Sequence, residues 1–229
     1  MRRTPGLPRW ETLETSEVRE YGVFGVREVV RRSSRTGRPG RYQVLEVPAW
    51  TNVVALTPDD EVVLIEQYRH GLDRVTLEIP GGIVEEGEDP AVAAARELRE
   101  ETGYTGLEPI LLGTVHPNPA IQGNACTTWL IREAVRTAEP EPDEGEHIEV
   151  GTVPRREVPA LLRKGGITHS LVVAAFHWLE LWESADADRP TGRSTPGKIG
   201  SCGGREPGGP AHVESPRAPE GRHGSSSRG

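Results

Sequence analysis

The sequence has few cysteines and no long apolar run. Its two cysteines, Cys126 and Cys202, lie far apart, so a disulfide framework is not expected, and a reducing cytoplasm is the predicted location. The longest apolar stretch, residues 171–182, contains His177 and Glu180 and is too short to span a bilayer. We therefore expect no membrane partner.

Positive charge is also in short supply. Lys and Arg number 27 against 35 Asp and Glu, which gives a net charge of -8. A polyanion would be repelled on average, so general binding to nucleic acid is not expected. A small phosphate compound remains compatible with this balance, because a metal ion and a few local arginines are enough to hold it.

Composition divides the chain into three parts. Residues 186–229 are rich in Gly, Pro, Ser and Arg and hold almost no large apolar residues, which predicts a disordered tail. Residues 1–48 contain alternating strands and turns and are predicted to form a small N-terminal β region. Residues 49–185 mix strands and helices without regular alternation, which predicts an α+β domain of the α/β/α sandwich type.

Local patterns predict the individual elements. Two apolar runs, 52–56 and 61–67, flank Pro58-Asp59-Asp60 and suggest a hairpin. A helix is predicted to begin after the capping residue Asp89, with Pro90 first, and to end at Thr102 before Gly103. The remaining predicted strands and helices are 23–31, 42–48, 107–115, 126–132 and 147–153, and 157–164 and 170–183.

Three glutamates share one face of the predicted helix. Glu97 and Glu101 are one turn apart and Glu100 is adjacent to both, while Val92, Ala95 and Leu98 are predicted to face a core. Clustered carboxylates repel one another, and hard divalent cations such as Mg²⁺ compensate such clusters. The alternative is an ordinary solvated helix face, and the glutamates alone would favour it.

The wider spacing resembles a known signature. The segment GGIVEEGEDPAVAAARELREETGY, residues 81–104, places Gly82, Glu88 and the run from Arg96 to Tyr104 at every position of the Nudix box, G-x5-E-x7-R-E-U-x-E-E-x-G-U, in which U is bulky and apolar. Tyr104 is aromatic where the last position is usually aliphatic. So many fixed positions are far more specific than a short glycine motif.

This resemblance implies a fold, a reaction and a metal site. Nudix proteins have an α/β/α sandwich with a mixed sheet and use Mg²⁺ or Mn²⁺ to hydrolyse nucleoside diphosphates linked to another group. It implies that Glu97, Glu101 and the Gly81 carbonyl bind metal and that Glu100 is a ligand or close catalytic support. Arg96 would orient these carboxylates together with Glu88.

Two further segments resemble the ADP-ribose pyrophosphatase and nucleotide-sugar branch. Glu66-Gln67-Tyr68-Arg69 and Leu77-Glu78-Ile79-Pro80 imply that Arg69 and Glu78 contact substrate, unless Arg69 only pairs with a surface carboxylate. In the late acidic loop the resemblance implies Glu144 as general base and Glu146 as metal ligand. The two roles are open to exchange, and the loop could instead be merely acidic.

One departure leaves the substrate open. Where the branch usually carries Ser-Pro-Gly, this chain has Pro117-Asn118-Pro119, so Asn118 is either a contact for sugar or base or part of a turn. The predicted reaction cuts a nucleoside-diphosphate sugar, ADP-ribose or similar, to a nucleoside monophosphate and a sugar phosphate. Another Nudix substrate (GDP-mannose, a dinucleotide or a coenzyme) and a non-catalytic nucleotide sensor are the alternatives. The branch also implies a homodimer built through the N-terminal β region, and the histidines at 116, 147 and 169 are predicted to be structural.

Overall fold

The computed structural model describes residues 6–141 and 147–187, in which strands outnumber helices. The strands are β1 (Glu11–Thr15), β2 (Arg19–Glu20), β3 (Gly25–Arg32), β4 (Pro39–Glu46), β5 (Trp50–Ala55), β6 (Glu61–Arg69), β7 (Arg74–Glu78), β8 (Gly81–Ile83), β9 (Tyr104–Thr105), β10 (Ile110–Val115), β11 (Cys126–Ile131), β12 (Val135–Arg136) and β13 (Ile148–Pro154). The helices are α1 (Pro90–Thr102), α2 (Val158–Arg163) and α3 (Ser170–Ala187), with a 3-10 turn at Arg155–Glu157 before α2.

Two central sheets lie between α1 on one side and α2 with α3 on the other. One sheet has the order β10-β11-β5-β8 and the other the order β13-β6-β7; β5 pairs parallel with β11 and antiparallel with β8. Successive residues of β5 face opposite sides, so Val53 packs with Leu98 of α1 and Val54 packs with Phe176 of α3. The expected α+β architecture, an α/β/α sandwich with a mixed sheet, is confirmed.

The N-terminal strands form a separate small sheet. Strand β3 pairs with β1 and β2 and also with β4, all antiparallel. Within β3 the buried residues are Gly25 and Val29, so this sheet encloses little core of its own. A bridge between Leu45 and Gln122 joins β4 to the loop before β11. Residues from this region consequently reach the wall of the cavity described below.

The predicted hairpin at Pro58-Asp59-Asp60 is only partly correct. A turn does occur there, since the Asp60 N–H donates to the Thr57 carbonyl and Leu56 makes one antiparallel bridge with Val62. Beyond that bridge, however, β5 and β6 enter different sheets. Both strands are largely buried on both faces. Strand β5 pairs with the distant β8 and β11, and β6 pairs with β7, which follows it directly, and with the distant β13, so a short-range pattern cannot reveal the two sheets.

The buried face of α1 also differs from the prediction. Leu98 is buried as expected, but Val92 is 60% exposed and Ala95 is exposed as well. The helix instead packs through Ala93 and Ala94, which are fully buried. Their small side chains let the helix backbone lie close to the sheet, and that close approach rotates the larger Val92 toward solvent.

Helix α3 is the partly buried helix that the sequence predicts. One face carries Val172, Ala175, Phe176 and Leu179 into the core, while residues such as Val173 remain exposed. In the part of the chain that the structure describes, no helix combines the length and the apolar character needed to cross a membrane.

Candidate active site

Local chemistry fixes both ends of α1. The Asp89 carboxylate accepts a hydrogen bond from the Ala91 N–H at 2.8 Å, and Pro90 occupies the first helical position, where no N–H is needed. At the other end Gly103 adopts a φ of 73°, and its N–H donates to the Arg99 carbonyl. These ends set the position of every side chain on the helix, including the glutamates.

Arg96 connects the glutamates of α1 to the loop before it. Its guanidinium donates to Glu97 Oε1 at 2.9 Å and to Glu100 Oε2 at 3.0 Å. It also donates to the two carboxylate oxygens of Glu88, at 2.9 and 3.0 Å. The bonds with Glu88 raise the pKa of Arg96 far above its ordinary value, although burial opposes them, so the cation is permanent. One cation thereby offsets the repulsion that the helical spacing creates among the carboxylates.

Glu101 is held against strand β8. Its side chain is 3% exposed, and its Oε2 accepts a hydrogen bond from the Gly81 N–H at 2.8 Å. A side chain at Gly81 would collide with the backbone of β5, and one at Gly82 would lie 2.5 Å from Glu97 Oε1. The glycine pair is therefore needed where β8 approaches both its neighbouring strand and the carboxylates of α1.

The donors at this place suit a hard divalent cation by their chemistry. Carboxylates from α1 and backbone carbonyls of β8 offer oxygen atoms, which are the ligands that Mg²⁺ prefers. Within residues 6–141 and 147–187, however, no group of three or more His, Cys, Asp or Glu side chains is close enough to hold a metal ion. The predicted residues Glu144 and Glu146 lie outside the described residues.

A cavity of about 1070 Å³ is lined by both groups of predicted site residues. Glu97, Glu100 and Glu101 belong to its wall, and so do Arg69 and Glu78. The remaining wall includes apolar and aromatic side chains from the N-terminal β region, from β5 and from α3, namely Val23, Phe24, Leu45, Val47, Trp50, Leu171 and Val172. The cavity is thus polar where the box residues lie and largely apolar toward the N-terminal sheet.

Arg69 and Glu78 form a paired fork inside this cavity. Arg69 Nε and Nη2 donate to the two oxygens of Glu78, each at 2.8 Å, and Thr76 Oγ1 donates to Glu78 Oε1 at 2.6 Å. Burial raises the pKa of Glu78, but the hydrogen bonds from Arg69 and Thr76 outweigh burial and hold the pKa below its ordinary value. Glu78 is 3% exposed, so the alternative of a surface ion pair does not hold.

His169, which the sequence analysis predicts to be structural, lies in the cavity wall. Its Nδ1 accepts a hydrogen bond from the Leu171 N–H at 3.2 Å, which leaves Nε2 to carry the proton of the neutral ring. Nε2 lies 3.8 Å from Glu78 Oε2. Burial lowers the pKa of His169, against the effect of the nearby Glu78 carboxylate. A lone histidine without metal-ligand spacing gives no signal in the sequence for such a position.

The structure does not bring Asn118 to the cavity wall. Its side chain is exposed, and its carbonyl accepts hydrogen bonds from the Ile121 and Gln122 N–H groups, as in a turn. Gln122 lines the cavity instead, and its Nε2 donates to Asn124 Oδ1 at 2.9 Å. Asn124 in turn donates to the Pro48 carbonyl. The geometry of this segment favours the turn over a ligand contact at Asn118.

Cys126 is a buried residue of β11. It is 1% exposed, and burial raises the pKa of its thiol to about 12. A thiol with such a pKa is protonated at neutral pH, whereas the thiolate is the nucleophilic form. Cys126 therefore serves packing rather than nucleophilic chemistry.

Comparison with known proteins finds one family model and several related pyrophosphatases. The family model described as "NUDIX domain" matches residues 48–176. An ADP-ribose pyrophosphatase from Bacillus subtilis (strain 168) is 29% identical over 154 residues, which cover 67% of this chain and 83% of that protein. An ADP-sugar pyrophosphatase from Mus musculus is 33% identical over 121 residues, covering 50% of this chain and 55% of that protein.

One solved structure extends the likeness to the fold. A crystal structure described as an ADP compounds hydrolase matches with a TM-score of 0.71, covering 80% of this chain and 98% of that chain. The sequence identity of this match is 22%, so it speaks for the arrangement of strands and helices alone.

Proposed function

Because this chain belongs to the Nudix family, we propose that this Nudix pyrophosphatase hydrolyses the diphosphate linkage of a nucleoside-diphosphate sugar, with ADP-ribose as the first candidate. One observation carries the proposal. A single cavity is lined by the carboxylates Glu97, Glu100 and Glu101 and by the Arg69–Glu78 fork. Carboxylates suit a divalent metal, and a positioned guanidinium suits the two phosphates of a diphosphate.

A divalent metal, Mg²⁺ or Mn²⁺, is part of this proposal. Glu97, Glu101, the Gly81 carbonyl and Glu146 are the proposed ligands. When bound, such a metal lowers the pKa of a coordinated water and neutralises charge at the reacting phosphorus. We assign Glu144 as general base, with exchange between Glu144 and Glu146 left open.

The remaining residues hold the reacting groups in place. Arg96 donates hydrogen bonds to Glu97 and Glu100 and also to Glu88, and these bonds hold the carboxylates in place. Arg69, itself oriented by Glu78, is proposed to contact a phosphate oxygen. Because Glu78 accepts two hydrogen bonds from Arg69 and one from Thr76, its proposed contribution is to hold Arg69 rather than to meet substrate. Asn118 has no part in the proposal, since its side chain is exposed and does not belong to the cavity wall.

The choice of substrate rests on the relatives and the cavity. The related proteins named above include an ADP-ribose pyrophosphatase and an ADP-sugar pyrophosphatase. A volume of about 1070 Å³ accommodates a nucleotide with a second sugar, and the apolar wall suits a base. GDP-mannose, a dinucleotide or a coenzyme remains the alternative, because residues 117–124 depart from the branch. The sensor alternative is weaker, since every box glutamate is present.

The experiment is a panel of nucleotide sugars incubated with the protein in Mg²⁺ and, separately, in Mn²⁺. ADP-ribose, GDP-mannose, UDP-glucose and a diadenosine compound are compared by phosphate release after phosphatase coupling. We expect one nucleotide sugar to be cut far faster than the others, and only with metal present. If none of the compounds is cut but calorimetry shows that one of them binds, the protein would be a nucleotide sensor rather than an enzyme. We also propose that the protein acts in the cytoplasm.

A further inference from the structure

His169 caps the first turn of helix α3. The Leu171 N–H donates to His169 Nδ1 at 3.2 Å, and the Val173 N–H donates to the His169 carbonyl at 3.0 Å. These two bonds place His169 at the N-cap position, directly before Ser170. The residues preferred at an N-cap are the shorter Asn, Asp and Ser. Capping therefore explains what Nδ1 does but gives no reason for an imidazole at this position.

The other ring nitrogen of His169 faces the Arg69–Glu78 fork. Because Nδ1 accepts a hydrogen bond, the proton of the neutral ring is on Nε2. Nε2 lies 3.8 Å from Glu78 Oε2, which is too long for a hydrogen bond. That carboxylate oxygen already accepts a hydrogen bond from Arg69 Nη2 at 2.8 Å. The Nε2–H donor thus lies beside the fork without being bonded to it.

Arg69 and His169 are close enough to bind one ligand group together. Arg69 Nη2 and His169 Nε2 approach the same oxygen of Glu78, so their separation cannot exceed those two distances placed end to end. Both residues line the cavity, and the side chain of His169 is 30% exposed. A phosphate group presents several acceptor oxygens, so two donors at this spacing can each bind an oxygen of a single phosphate.

Charge explains why a neutral donor is useful at this place. The described cavity wall contains two arginines, both bonded to glutamates, against six acidic side chains: Glu78, Glu85, Glu97, Glu100, Glu101 and Glu141. Burial lowers the pKa of His169, although the Glu78 carboxylate opposes this effect, so the ring is neutral near pH 7. Its N–H can meet a phosphate oxygen without depending on a counter-charge, and hydrogen bonds to an ionised acceptor are among the strong ones.

We infer that His169 is a substrate-contact residue, whose Nε2–H donates a hydrogen bond to an oxygen of the phosphate that Arg69 contacts. The inference rests on the proposed function for the identity of the ligand. It gives the two ring nitrogens separate roles, since Nδ1 caps α3 and Nε2 binds substrate. A residue that keeps the cap but lacks the distant donor should therefore weaken binding without weakening the fold.

The test uses His169→Asn in the full chain. The Oδ1 of Asn stands as many bonds from the backbone as His Nδ1, so it can accept from the Leu171 N–H, but the side chain ends before the position of Nε2. The ligand is α,β-methylene ADP in Mg²⁺, in which a CH₂ group replaces the bridging oxygen and prevents cleavage. We expect a melting temperature at or above that of the wild type and, by calorimetry, a dissociation constant at least about 10-fold higher.

Two further variants separate the cap from the contact. His169→Leu lacks both the cap and the donor, so it should lose binding to the same extent and also melt at a lower temperature. His177→Asn makes the same chemical change as His169→Asn at an exposed residue of α3 that does not belong to the described cavity wall. Its binding and its melting temperature should equal those of the wild type.

Adenosine, which has no phosphate, shows which part of the ligand is contacted. The dissociation constant for adenosine should be the same for the wild type and His169→Asn. If His169→Asn binds α,β-methylene ADP as tightly as the wild type, His169 is only a cap and the inference is overturned. Equal weakening for α,β-methylene ADP and adenosine would overturn it as well, because the effect would then lie on the nucleoside.

The result is separable from the proposed function. If the wild type cuts no nucleotide sugar but His169→Asn weakens binding of α,β-methylene ADP, the reaction is wrong and the contact stands. If the wild type cuts ADP-ribose and His169→Asn retains normal KM and normal binding of α,β-methylene ADP, the reaction stands and the contact is wrong.

Discussion

At the scale of single residues, the carboxylate of Glu101 gives the most direct test of the metal site. We expect Glu101→Gln to lose at least about 100-fold in kcat at saturating Mg²⁺, because the charge of a ligand is removed. The fold should survive, since the amide oxygen of Gln can still accept the hydrogen bond from the Gly81 N–H. Steady-state kinetics and a thermal melt on the same sample measure both effects.

Glu180→Gln provides the control for that substitution. Glu180 is an exposed residue of α3, so the same chemical change there should leave kcat as it is in the wild type. Near-normal turnover of Glu101→Gln at saturating Mg²⁺ would remove Glu101 from the proposed ligand set.

The Arg69–Glu78 fork makes a prediction about pH. The pKa of Glu78 is lowered from 4.5 in the folded protein, so its carboxylate contributes stability above that pH, and the contribution is lost as the pH falls through the folded pKa. Arg69→Met removes two of the hydrogen bonds that lower this pKa, keeps the one from Thr76, and leaves the burial that raises the pKa. We expect the variant to be less stable near pH 7 by about 2 kcal/mol, below the cost of breaking a fully buried pair because Arg69 is 38% exposed.

That loss should shrink in acid. Without Arg69, burial makes Glu78 protonate at a higher pH in the variant than in the wild type, so the difference in melting temperature between the wild type and Arg69→Met should narrow as the pH falls toward the lowered pKa of the wild type. Arg74→Met is the control, since Arg74 begins β7, the strand that ends at Glu78, and donates to the neutral Thr168. A difference that stays constant from about pH 7 to pH 4 would show that Glu78 does not depend on Arg69 for its charge.

The site residues differ in how clearly the sequence identifies them. The box glutamates and Arg96 stand at spacings that a motif fixes, and the structure places Arg96 among Glu88, Glu97 and Glu100. His169 carries no such spacing. It is a lone polar residue, and its place in the cavity wall follows from packing between segments far apart in the chain.

At the scale of elements, α1 was predictable to the residue because its signals are local. Asp89, Pro90 and Gly103 decide where the helix begins and ends, and the structure agrees with all three. The separation of β5 and β6 into two sheets was not predictable in that way. It depends on the parallel pairing of β5 with β11, which lies more than 70 residues further along.

The two glycines that follow α1 and α2 allow a matched prediction on helix ends. Gly103 and Gly165 have φ values of 73° and 72°, so alanine is strained at both by about 1–2 kcal/mol. An added Cβ at Gly103 would also collide with the Ala138 carbonyl, whereas nothing lies within 4 Å of one at Gly165. We expect Gly103→Ala to melt several degrees lower than Gly165→Ala.

Thermal melts of Gly103→Ala and Gly165→Ala under one set of conditions test this prediction. Because the strain from positive φ is common to both, the difference between them measures the contact with Ala138. Equal melting temperatures would mean that the segment after β12 yields easily and does not fix the end of α1.

At the scale of the whole molecule, the N-terminal sheet buries few of its described residues. Strand β1 is exposed along its whole length, and several large apolar side chains of this region are exposed as well: Trp10, Leu13, Val18, Tyr21, Val23, Phe24 and Tyr42. A sheet that buries so little is not stable alone, and clustered exposed apolar residues mark an interaction surface. The homodimer expected from the sequence would cover these residues with a second copy of the chain.

Light scattering coupled to gel filtration tests the homodimer. We expect a particle of twice the 25.0 kDa chain mass, because the exposed apolar residues of one sheet can pack against those of the other. Leu13→Lys should shift the particle toward the single-chain mass, since a charge would be buried at the interface. Leu181→Lys, at an exposed apolar position of α3, should leave the mass unchanged. A wild-type particle of 25.0 kDa at all concentrations would contradict the homodimer and leave the exposed residues of the N-terminal sheet without this explanation.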